Sequence, residues 1–465
     1  MISNPFDLLR DPVSGAALVA HFPKRGNAGS LAPTGVLRGT SREYPVLGGV
    51  VVFRADLATE KVTKHARAGR LTQALFEAIK AEKQSKRAAV ELLIKLRYPR
   101  LLQCSGSPYG AQRGPAGSYF RYRYSVPNVP SIIGVLSCLK RTASKAGYLL
   151  DVGSGFGHFY RYCLHAYPAE KIVLFDHSLE ALVTASRFID RRTLLVCGDA
   201  EADLPFQKRI FSDITSFNAF QYLNAKDQFV KSAIEALDET TGTLWLTNNW
   251  NPRLTDRFFG PARPPSEWRV FCNSDKWRII PERYFADPVL RGGLVNLAVQ
   301  YVPQDDHPAW RSVTLVYSNA SWDLNNKFVP LNRAPKWQDL HYNSIYYRSA
   351  YGNRLVKKRI KSDLWESHRE YYGIDLPEKV NLPGKIDRRT GRGLQPLADT
   401  LVMIESVCPR PPAVFSDFLS ALVSRFRNRW GSWFYQSRLT RALKPFVPRL
   451  IKVNAKRFLD LERTC

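Results

Sequence analysis

Short apolar runs alternate with amphipathic stretches in the middle of the chain. Five such runs lie at Tyr148–Asp151, Lys171–Asp176, Thr193–Cys197, Ile210–Thr215 and Thr241–Thr247. Apolar runs of this length, bounded by turn residues, are typical of buried strands, and the stretches between them have helical spacing. The pattern predicts an α/β fold with a parallel sheet over roughly residues 120–250.

The pattern is different on both sides of this region. Residues 1–56 contain short runs punctuated by Gly and Pro, which predict a small β-rich domain. Residues 57–118 are predicted to be a helical linker, because apolar residues such as Leu71, Leu75 and Ile79 recur at helical spacing. Residues 321–465 are predicted to form a basic, aromatic-rich and mainly helical extension. Residues 119–320, between these segments, are predicted to form the central domain.

Three glycines at alternate positions follow the first predicted strand. Gly153, Gly155 and Gly157 come directly after Asp151, and an amphipathic stretch then begins. Glycines allow the backbone to approach a ligand closely, and the start of a helix offers free N–H groups. A dinucleotide site requires G-x-G-x-x-G, whereas here the third glycine comes one residue earlier. An acid at the strand end also favours a cationic ligand over a phosphate.

The arrangement D-x-G-x-G-x-G resembles the first motif of the class I S-adenosylmethionine-dependent methyltransferases, and the domain is similar to the ubiquinone/menaquinone type. The resemblance implies a Rossmann-like, seven-stranded sheet with S-adenosyl-L-methionine as cofactor. It also implies that Leu294–Val302 and Ser312–Tyr317 form the antiparallel pair that completes this sheet, after a polar, aromatic insert between Asn248 and Arg291. The cofactor-binding residues that it implies are Asp151, Gly153, Ser154, Gly155, Gly157, Asp176, His177, Asp199, Ala200 and Ser216.

Two acids at strand ends have specific roles in this resemblance. Asp176 ends the second strand and would accept both ribose hydroxyls. An Asp that caps the helix starting near Ser178 is the alternative interpretation. Asp199 ends the third strand and would accept the adenine amino group, with Ala200 and neighbouring backbone framing the ring.

The catalytic residues are not identified by any motif. His158 follows the last glycine, and Asn218 and Tyr222 follow the fourth strand, so these three are candidates for contact with the methyl acceptor or for a general base. A structural histidine is the alternative for His158. The sequence lacks a Ser/His/Asp nucleophile motif, a P-loop and a metal-ligand cluster.

The first domain resembles the zinc-ribbon-derived domain of an activator subunit of tRNA and release-factor methyltransferases. The resemblance rests on Tyr44-Pro-Val-Leu-Gly-Gly-Val-Val-Val. Zinc-bearing members carry cysteines at the first turn, where this chain has Asp11 and Ser14. We therefore expect no metal, and a unit held together by its strands and by its neighbour.

The charge of the chain bears on its partners. The 465 residues carry a formal charge of +27, from 68 basic and 41 acidic side chains. Such an excess fits nucleic acid, an anionic membrane surface or an acidic metabolite, or is simply a soluble basic surface. The stretch from Arg425 to Arg457 contains ten basic residues and no acid. It fits a membrane interface, a nucleic-acid groove or a helix packed on the catalytic domain.

The cysteines and the hydropathy bear on the compartment. The seven cysteines are scattered without a C-x-x-C pair, which favours a reducing cytoplasm. Long apolar segments are absent, which argues against secretion or a transmembrane helix. We expect a cytoplasmic methyltransferase that acts on a small-molecule or glycan/lipid-linked acceptor. A location peripheral to the inner membrane face is one version of this expectation. An RNA methyltransferase and a non-catalytic methyltransferase-like scaffold are the alternatives, and the oligomeric state is left open.

Overall fold

The computed structural model describes the central part of the chain almost continuously. The described residues are 4–23, 33–97, 134–135, 138–139, 147–157, 159–164, 166–187, 189–254, 261–285, 297, 299–320, 322, 340–342, 346–348, 354–357, 378–382 and 403–405.

The N-terminal residues form an antiparallel meander. A 3-10 helix, Pro5–Leu8, precedes four strands that pair in sequence order. These strands are β1 (Val19–His21), β2 (Gly35–Arg38), β3 (Glu43–Leu47) and β4 (Val50–Val52). The β3–β4 turn uses Gly48 and Gly49, both with positive φ (60° and 86°), a conformation that favours glycine.

Three helices follow the meander and agree with the predicted helical stretch up to residue 97. They are α1 (Glu60–Arg67), α2 (Leu71–Lys83) and α3 (Lys86–Arg97). Thr59 caps α1, because its side chain accepts a hydrogen bond from the Val62 N–H. The chain turns between α2 and α3 at Gln84, which has a left-handed φ of 50°.

Five parallel strands form the middle of the sheet and coincide with the five apolar runs of the sequence. They are β5 (Tyr148–Val152), β6 (Ile172–Asp176), β7 (Leu194–Cys197), β8 (Phe211–Phe217) and β9 (Thr243–Trp250). They lie side by side in the order β7-β6-β5-β8-β9. The order reverses between β5 and β8, and ligands of such sheets bind at the C-terminal ends of the strands beside this reversal.

Helices connect these strands and cover the sheet. They are α4 (Tyr160–Cys163), α5 (Leu179–Ala185), α6 (Lys226–Ala236) and α7 (Pro265–Phe271). Short 3-10 helices occur at Ala169–Lys171, Phe220–Tyr222, Pro252–Leu254 and Pro308–Trp310.

The antiparallel pair at one edge of the sheet differs from the predicted pair. Strand β11 (Ser312–Ser318) lies where we expected it, but its edge partner is β10 (Trp277–Pro281), not Leu294–Val302. The described residues 297 and 299–302 lie outside strands. In β10, Trp277, Ile279 and Ile280 are all buried, so this short run enters the sheet although it lies within the segment that we predicted to be a polar insert.

The sheet of the described residues has eleven strands instead of the predicted seven, in the order β1-β2-β3-β4-β7-β6-β5-β8-β9-β11-β10. The four additional strands belong to the N-terminal meander. Strand β4 pairs in parallel with β7, with Val50, Val51 and Val52 opposite Leu195, Val196 and Cys197. The N-terminal meander and the central strands therefore share one continuous sheet.

The core lies on both faces of this sheet. On one face, Val50, Val52 and Leu149 pack with side chains of α1, α2, α3 and α5. On the other face, Val51 and Leu150 pack with side chains of α6 and α7. This alternation along neighbouring strands is the period-two pattern of a sheet buried on both sides.

The described residues beyond 320 include five short strands. They are β12 (Leu340–Tyr342), β13 (Tyr346–Arg348), β14 (Arg354–Lys357), β15 (Lys379–Asn381) and β16 (Met403–Glu405). They pair as β12-β16 and β13-β14-β15, whereas we had predicted a mainly helical extension. The predicted helical stretch from residue 415 onward lies outside the described residues. In the described part of the chain, no helix has the length and apolar composition needed to cross a membrane.

Candidate active site

The glycine loop connects β5 to α4 at the C-terminal edge of the sheet. Gly153, Gly155 and Gly157 all have left-handed φ values, of 73°, 54° and 73°. A Cβ atom at Gly153 would lie 2.3 Å from the Cβ of Ala219, which follows β8. The loop thus crosses close to the end of the neighbouring strand, at the point where the strand order reverses. A side chain at position 153 would not fit.

Asp151 lies beneath this loop and is almost completely buried. Its Oδ1 accepts a hydrogen bond from Thr215 Oγ1 at 3.1 Å, while its Oδ2 has no hydrogen-bond partner among the described residues. Burial raises the pKa of Asp151 to about 7, opposed by the Thr215 hydrogen bond and reinforced by the nearby charge of Asp176. No basic side chain among the described residues contributes to this shift.

Two more buried polar atoms of the loop region lack a partner within the described residues. These are the hydroxyl oxygens of Ser154, in the loop, and Ser216, in β8. Buried polar groups are nearly always hydrogen-bonded, so unsatisfied atoms require an explanation such as a missing ligand or water. Thr215 faces Asp151, so the next residue of β8, Ser216, points to the other face of the sheet. At the loop itself, Asp151 Oδ2 and the Ser154 hydroxyl offer an anionic oxygen and a hydroxyl. That donor set fits the ammonium and carboxylate of an amino acid, the end of the cofactor that the resemblance places at this loop.

Asp176 ends β6, next to the loop. Its Oδ2 accepts a hydrogen bond from the Gly155 N–H and its Oδ1 from the Ser178 N–H, both at 2.7 Å. Burial raises the pKa of Asp176, although these two N–H groups oppose the shift. Ser178 itself caps α5 by accepting from the Ala181 N–H at 3.2 Å. Asp176 is therefore held in place by both neighbouring segments, and each carboxylate oxygen retains a lone pair for a further donor.

The other residues predicted for the cofactor have less distinctive surroundings. The His177 side chain is exposed, and its main-chain oxygen accepts from Arg54 at 2.8 Å. Asp199 is exposed at the end of β7 and accepts from the Glu201 N–H at 2.9 Å. Ala200 is 9% exposed and packs in the core beneath that turn. The topology brings all three to the same edge of the sheet as Asp151, and their roles remain predictions.

The catalytic candidates lie beyond β8. Asn218 is buried with a left-handed φ of 58°, and its Oδ1 accepts from Gln221 Nε2 at 2.8 Å. Tyr222 is 47% exposed and ends the 3-10 helix Phe220–Tyr222. The buried Lys226 ammonium donates to the main-chain oxygen of Gln221 at 3.1 Å and to that of Leu223, which fixes this turn. His158 lies outside the described residues.

A strained asparagine also lies within β9, and the sequence did not reveal it. Asn248 has a φ of 60° at an irregularity in the β9–β11 pairing. Its N–H donates to the buried carboxylate of Glu282 at 3.1 Å, and its Oδ1 accepts from Ser312 at 2.9 Å. Left-handed non-glycine residues are often found at functional sites. No local sequence signal joins Asn248 to Glu282, because the contact depends on how β9 and β10 are placed.

Two charged residues near Asp176 were also missed. Glu82, in the last turn of α2, accepts hydrogen bonds from the Leu179 and Glu180 N–H groups at 2.9 and 3.0 Å. Arg54, just after β4, contacts the His177 carbonyl. Single charged residues in a basic chain carry no signal of their own. Within the described ranges, no three His, Cys, Asp or Glu side chains converge as metal ligands would.

A family model described as a methyltransferase domain matches residues 149–240, which contain the glycine loop, Asp176, Asp199 and the turn after β8. A search of curated proteins found no match for the chain.

Solved structures of methyltransferases resemble parts of the chain. An Aquifex aeolicus S-adenosylmethionine-dependent methyltransferase is 16% identical over 43% of this chain and 91% of its own, with a TM-score of 0.28. A Mesorhizobium loti enzyme of the same description is 20% identical over 23% and 48%, with a TM-score of 0.21. Phosphoethanolamine N-methyltransferase 2 of Haemonchus contortus, solved with S-adenosyl-L-methionine, is 23% identical over 23% and 26%, with a TM-score of 0.20. All three TM-scores are below 0.5, so these likenesses alone carry no argument about function.

The sheet order, the glycine loop and the family match point to the same part of the chain. Residues 149–240 thus combine a match to a methyltransferase-domain family with a Rossmann-like fold.

Proposed function

We propose that this chain is an S-adenosyl-L-methionine-dependent methyltransferase. The observation that carries the proposal is the set of buried polar atoms without a partner beside the glycine loop. Asp151 Oδ2 and the Ser154 hydroxyl form this set among the described residues. They lie within a domain that matches a methyltransferase family. A bound amino-acid end would satisfy both, and a scaffold without a ligand gives no reason to leave them buried.

Each strand end has a distinct task in this proposal. Asp151 binds the ammonium, and the Ser154 hydroxyl binds a polar atom of the same amino-acid end. Asp176, already oriented by Gly155 and Ser178, accepts the ribose hydroxyls, while Asp199 and Ala200 flank the adenine. When bound, the cofactor supplies a methyl group on a sulfonium, so the protein mainly has to orient the acceptor and remove its proton where it has one.

The acceptor belongs on the side of Asn218 and Tyr222 in this proposal, because their turn follows β8 beside the glycine loop. We propose a small-molecule or glycan/lipid-linked acceptor. A polar, partly exposed turn with an amide and a phenol suits such a molecule.

The location of the enzyme is part of the same proposal. We place it in the cytoplasm, peripheral to the inner membrane face, because of the +27 charge and the basic stretch Arg425–Arg457. Co-sedimentation with vesicles of phosphatidylglycerol and phosphatidylcholine tests this placement. Binding that decreases with salt and requires the anionic lipid is expected, whereas salt-dependent binding to RNA without vesicle binding would favour the RNA methyltransferase.

Calorimetric titration with S-adenosylmethionine and S-adenosylhomocysteine tests the cofactor assignment. We expect the protein to bind both, and Asp176→Ala to weaken binding at least about tenfold, since two ribose hydrogen bonds are lost. Asp203→Ala is the matched control, because this acid is exposed on the turn after β7. Absence of binding to either ligand by folded protein would overturn the proposal.

A further inference from the structure

The N-terminus of helix α5 is occupied by an acid from another helix. Glu82 accepts hydrogen bonds from the first two N–H groups of α5, those of Leu179 and Glu180. The neighbouring Lys83 pairs with Glu180 at 2.6 Å. An acid at this position interacts favourably with the positive end of the helix. Helix α2 is therefore fixed to the segment that directly follows Asp176.

Arg54 contacts the same segment from the N-terminal meander. Its Nη1 donates to the main-chain oxygen of His177 at 2.8 Å and lies 3.8 Å from Glu82 Oε1. Its Nε donates to Asp56 Oδ1 at 3.1 Å. The side chains of Arg54 and Glu82 are only 11% and 8% exposed. The two residues form a nearly buried ion pair against the backbone of residues 177–180.

The pairing of β4 with β7 explains how Arg54 reaches this place. The Phe53 N–H donates to the Cys197 carbonyl at 2.8 Å, which continues the parallel ladder past the end of β4. The next residue, Arg54, therefore emerges at the C-terminal edge of the sheet, where Asp176 also lies.

The contacts of this pair are with the backbone that orients Asp176. The Ser178 N–H donates to Asp176 Oδ1, so the path of residues 177–180 determines where the carboxylate points. A buried ion pair is weak evidence for stability, because the cost of desolvation offsets its attraction. Stability therefore does not explain this pair. Its contacts orient Asp176, the acid proposed to bind the ribose, and this gives the pair a function.

We propose that Arg54 and Glu82 are positioning residues for the adenosine half of the cofactor. The inference rests on the proposed function and deepens it: the N-terminal meander and helix α2 shape the site, although neither belongs to the matched methyltransferase domain. The pair acts through residues 177–180 on Asp176 and makes no contact with the amino-acid end at Asp151.

Two ligands separate the halves of the site. S-adenosylhomocysteine has both the adenosine and the amino-acid end, whereas 5′-methylthioadenosine has only the adenosine half. We would titrate both into the full chain and into Arg54→Lys and Glu82→Gln, which keep much of the side-chain volume. Arg67→Lys is the matched control, because Arg67 is half exposed and pairs with Glu43 in the same N-terminal region. Asp151→Asn tests the other half of the site.

Arg54→Lys and Glu82→Gln are expected to weaken both ligands by the same factor, about tenfold, since each removes a charge-assisted contact to the segment. Asp151→Asn is expected to weaken the binding of S-adenosylhomocysteine but not that of 5′-methylthioadenosine. Melting temperatures measured alongside report folding, and Glu82→Asp, which keeps the charge, should recover part of the affinity.

Three results would overturn the inference. Unchanged affinities with a lowered melting temperature would make the pair purely structural. A loss of affinity for S-adenosylhomocysteine but not for 5′-methylthioadenosine would place the effect of the pair at the amino-acid half of the cofactor instead of the adenosine half. Failure of the unmodified protein to bind S-adenosylhomocysteine would overturn the proposed function, and the inference with it. This result is distinguishable from the other two because it is obtained with the unmodified protein, before any variant is measured.

Discussion

Asp151 combines a buried position with a carboxylate oxygen that no described residue satisfies. Its pKa is raised from 3.8 to about 7 by burial. A carboxyl group whose pKa is higher in the folded state favours folding below its unfolded pKa, and this contribution is lost as the pH rises through the folded pKa. The residue that we propose for cofactor binding therefore destabilises the free protein at neutral and higher pH.

Asp151→Asn should make stability less dependent on pH. Between pH 5 and pH 8 we expect the unmodified protein to lose roughly 2–3 kcal/mol of unfolding free energy relative to the variant, because each pKa unit corresponds to about 1.4 kcal/mol. Urea denaturation of both proteins at the two pH values measures the difference. Parallel pH dependences would show that Asp151 does not titrate in this range.

Gly153 and Gly157 share the same φ but not the same surroundings. Gly153→Ala would bring a methyl group 2.3 Å from Ala219, whereas at Gly157 the nearest atoms are 3.6 Å away. We expect Gly157→Ala to cost about 1 kcal/mol from the left-handed backbone alone. Gly153→Ala should cost about 2–4 kcal/mol and weaken S-adenosylhomocysteine binding, because overpacking is added.

The double variant Gly153→Ala/Ala219→Gly separates the cost of the left-handed backbone from the cost of overpacking. Ala219→Gly should restore much of the stability of Gly153→Ala, since it removes the clashing methyl. Thermal denaturation of the four proteins gives the coupling energy. Additive effects would mean that the loop moves away from β8 instead of clashing with it.

Much of the candidate site was predictable residue by residue, because its members are adjacent to strand ends. Asp151, Asp176 and Asp199 each end an apolar run, and the glycines follow the first one. Thr215, Glu82 and Arg54 were not predictable, since their roles arise from contacts between distant segments.

At the scale of elements, Asp11 joins the first turn to the β2–β3 hairpin. It accepts hydrogen bonds from Tyr44 Oη at 2.7 Å, from Thr40 N–H and Oγ1 at 3.1 Å, and from the Val13 N–H at 3.0 Å. Burial raises the pKa of Asp11, but these donors outweigh it and lower the pKa to about 2. The carboxylate thus links the first turn to Thr40 and Tyr44 of the hairpin.

Asp11→Asn should destabilise the protein by about 2 kcal/mol at pH 7. Because its folded pKa is lowered, Asp11 contributes stability above its unfolded pKa of 3.8, and the contribution is lost as the pH falls through about 2. Urea denaturation tests this value, with Asp7→Asn as the control, since Asp7 is an exposed acid in the same N-terminal region. Equal effects of the two variants would contradict the role of the carboxylate.

The strands of the centre were predictable as elements, whereas the edge strand was not. Strands β5 to β9 are apolar runs with clear boundaries. The run Leu294–Val302 is longer and more apolar than Trp277-Arg-Ile-Ile-Pro281, yet only the latter pairs with β11. Pairing at an edge depends on where the chain returns to the sheet, which apolar patterning does not encode.

For the whole molecule, the main consequence of the architecture is that β7 is not an edge strand. It lies between β6 and β4, and the meander moves the edge outward to β1, whose three residues are all exposed. A short, exposed strand is a safer edge than a buried apolar one.

Deletion of residues 1–56 should therefore produce aggregation. The truncated chain would expose the ladder groups of Leu194–Cys197 and the apolar faces that β3 and β4 cover. Size-exclusion chromatography and the soluble yield report the result, with Val19→Ser at the exposed edge as the control, since Val19 is 65% exposed. A soluble, monodisperse truncated protein would show that the central strands do not need the meander.

The contact between β4 and β7 is formed within one polypeptide. The meander is therefore presented to β7 at a fixed effective concentration that does not depend on how much protein is in solution. An assay can be diluted to the lowest detectable level without separating Arg54 from the Asp176 segment. Any loss of specific activity on dilution would have to come from a different association.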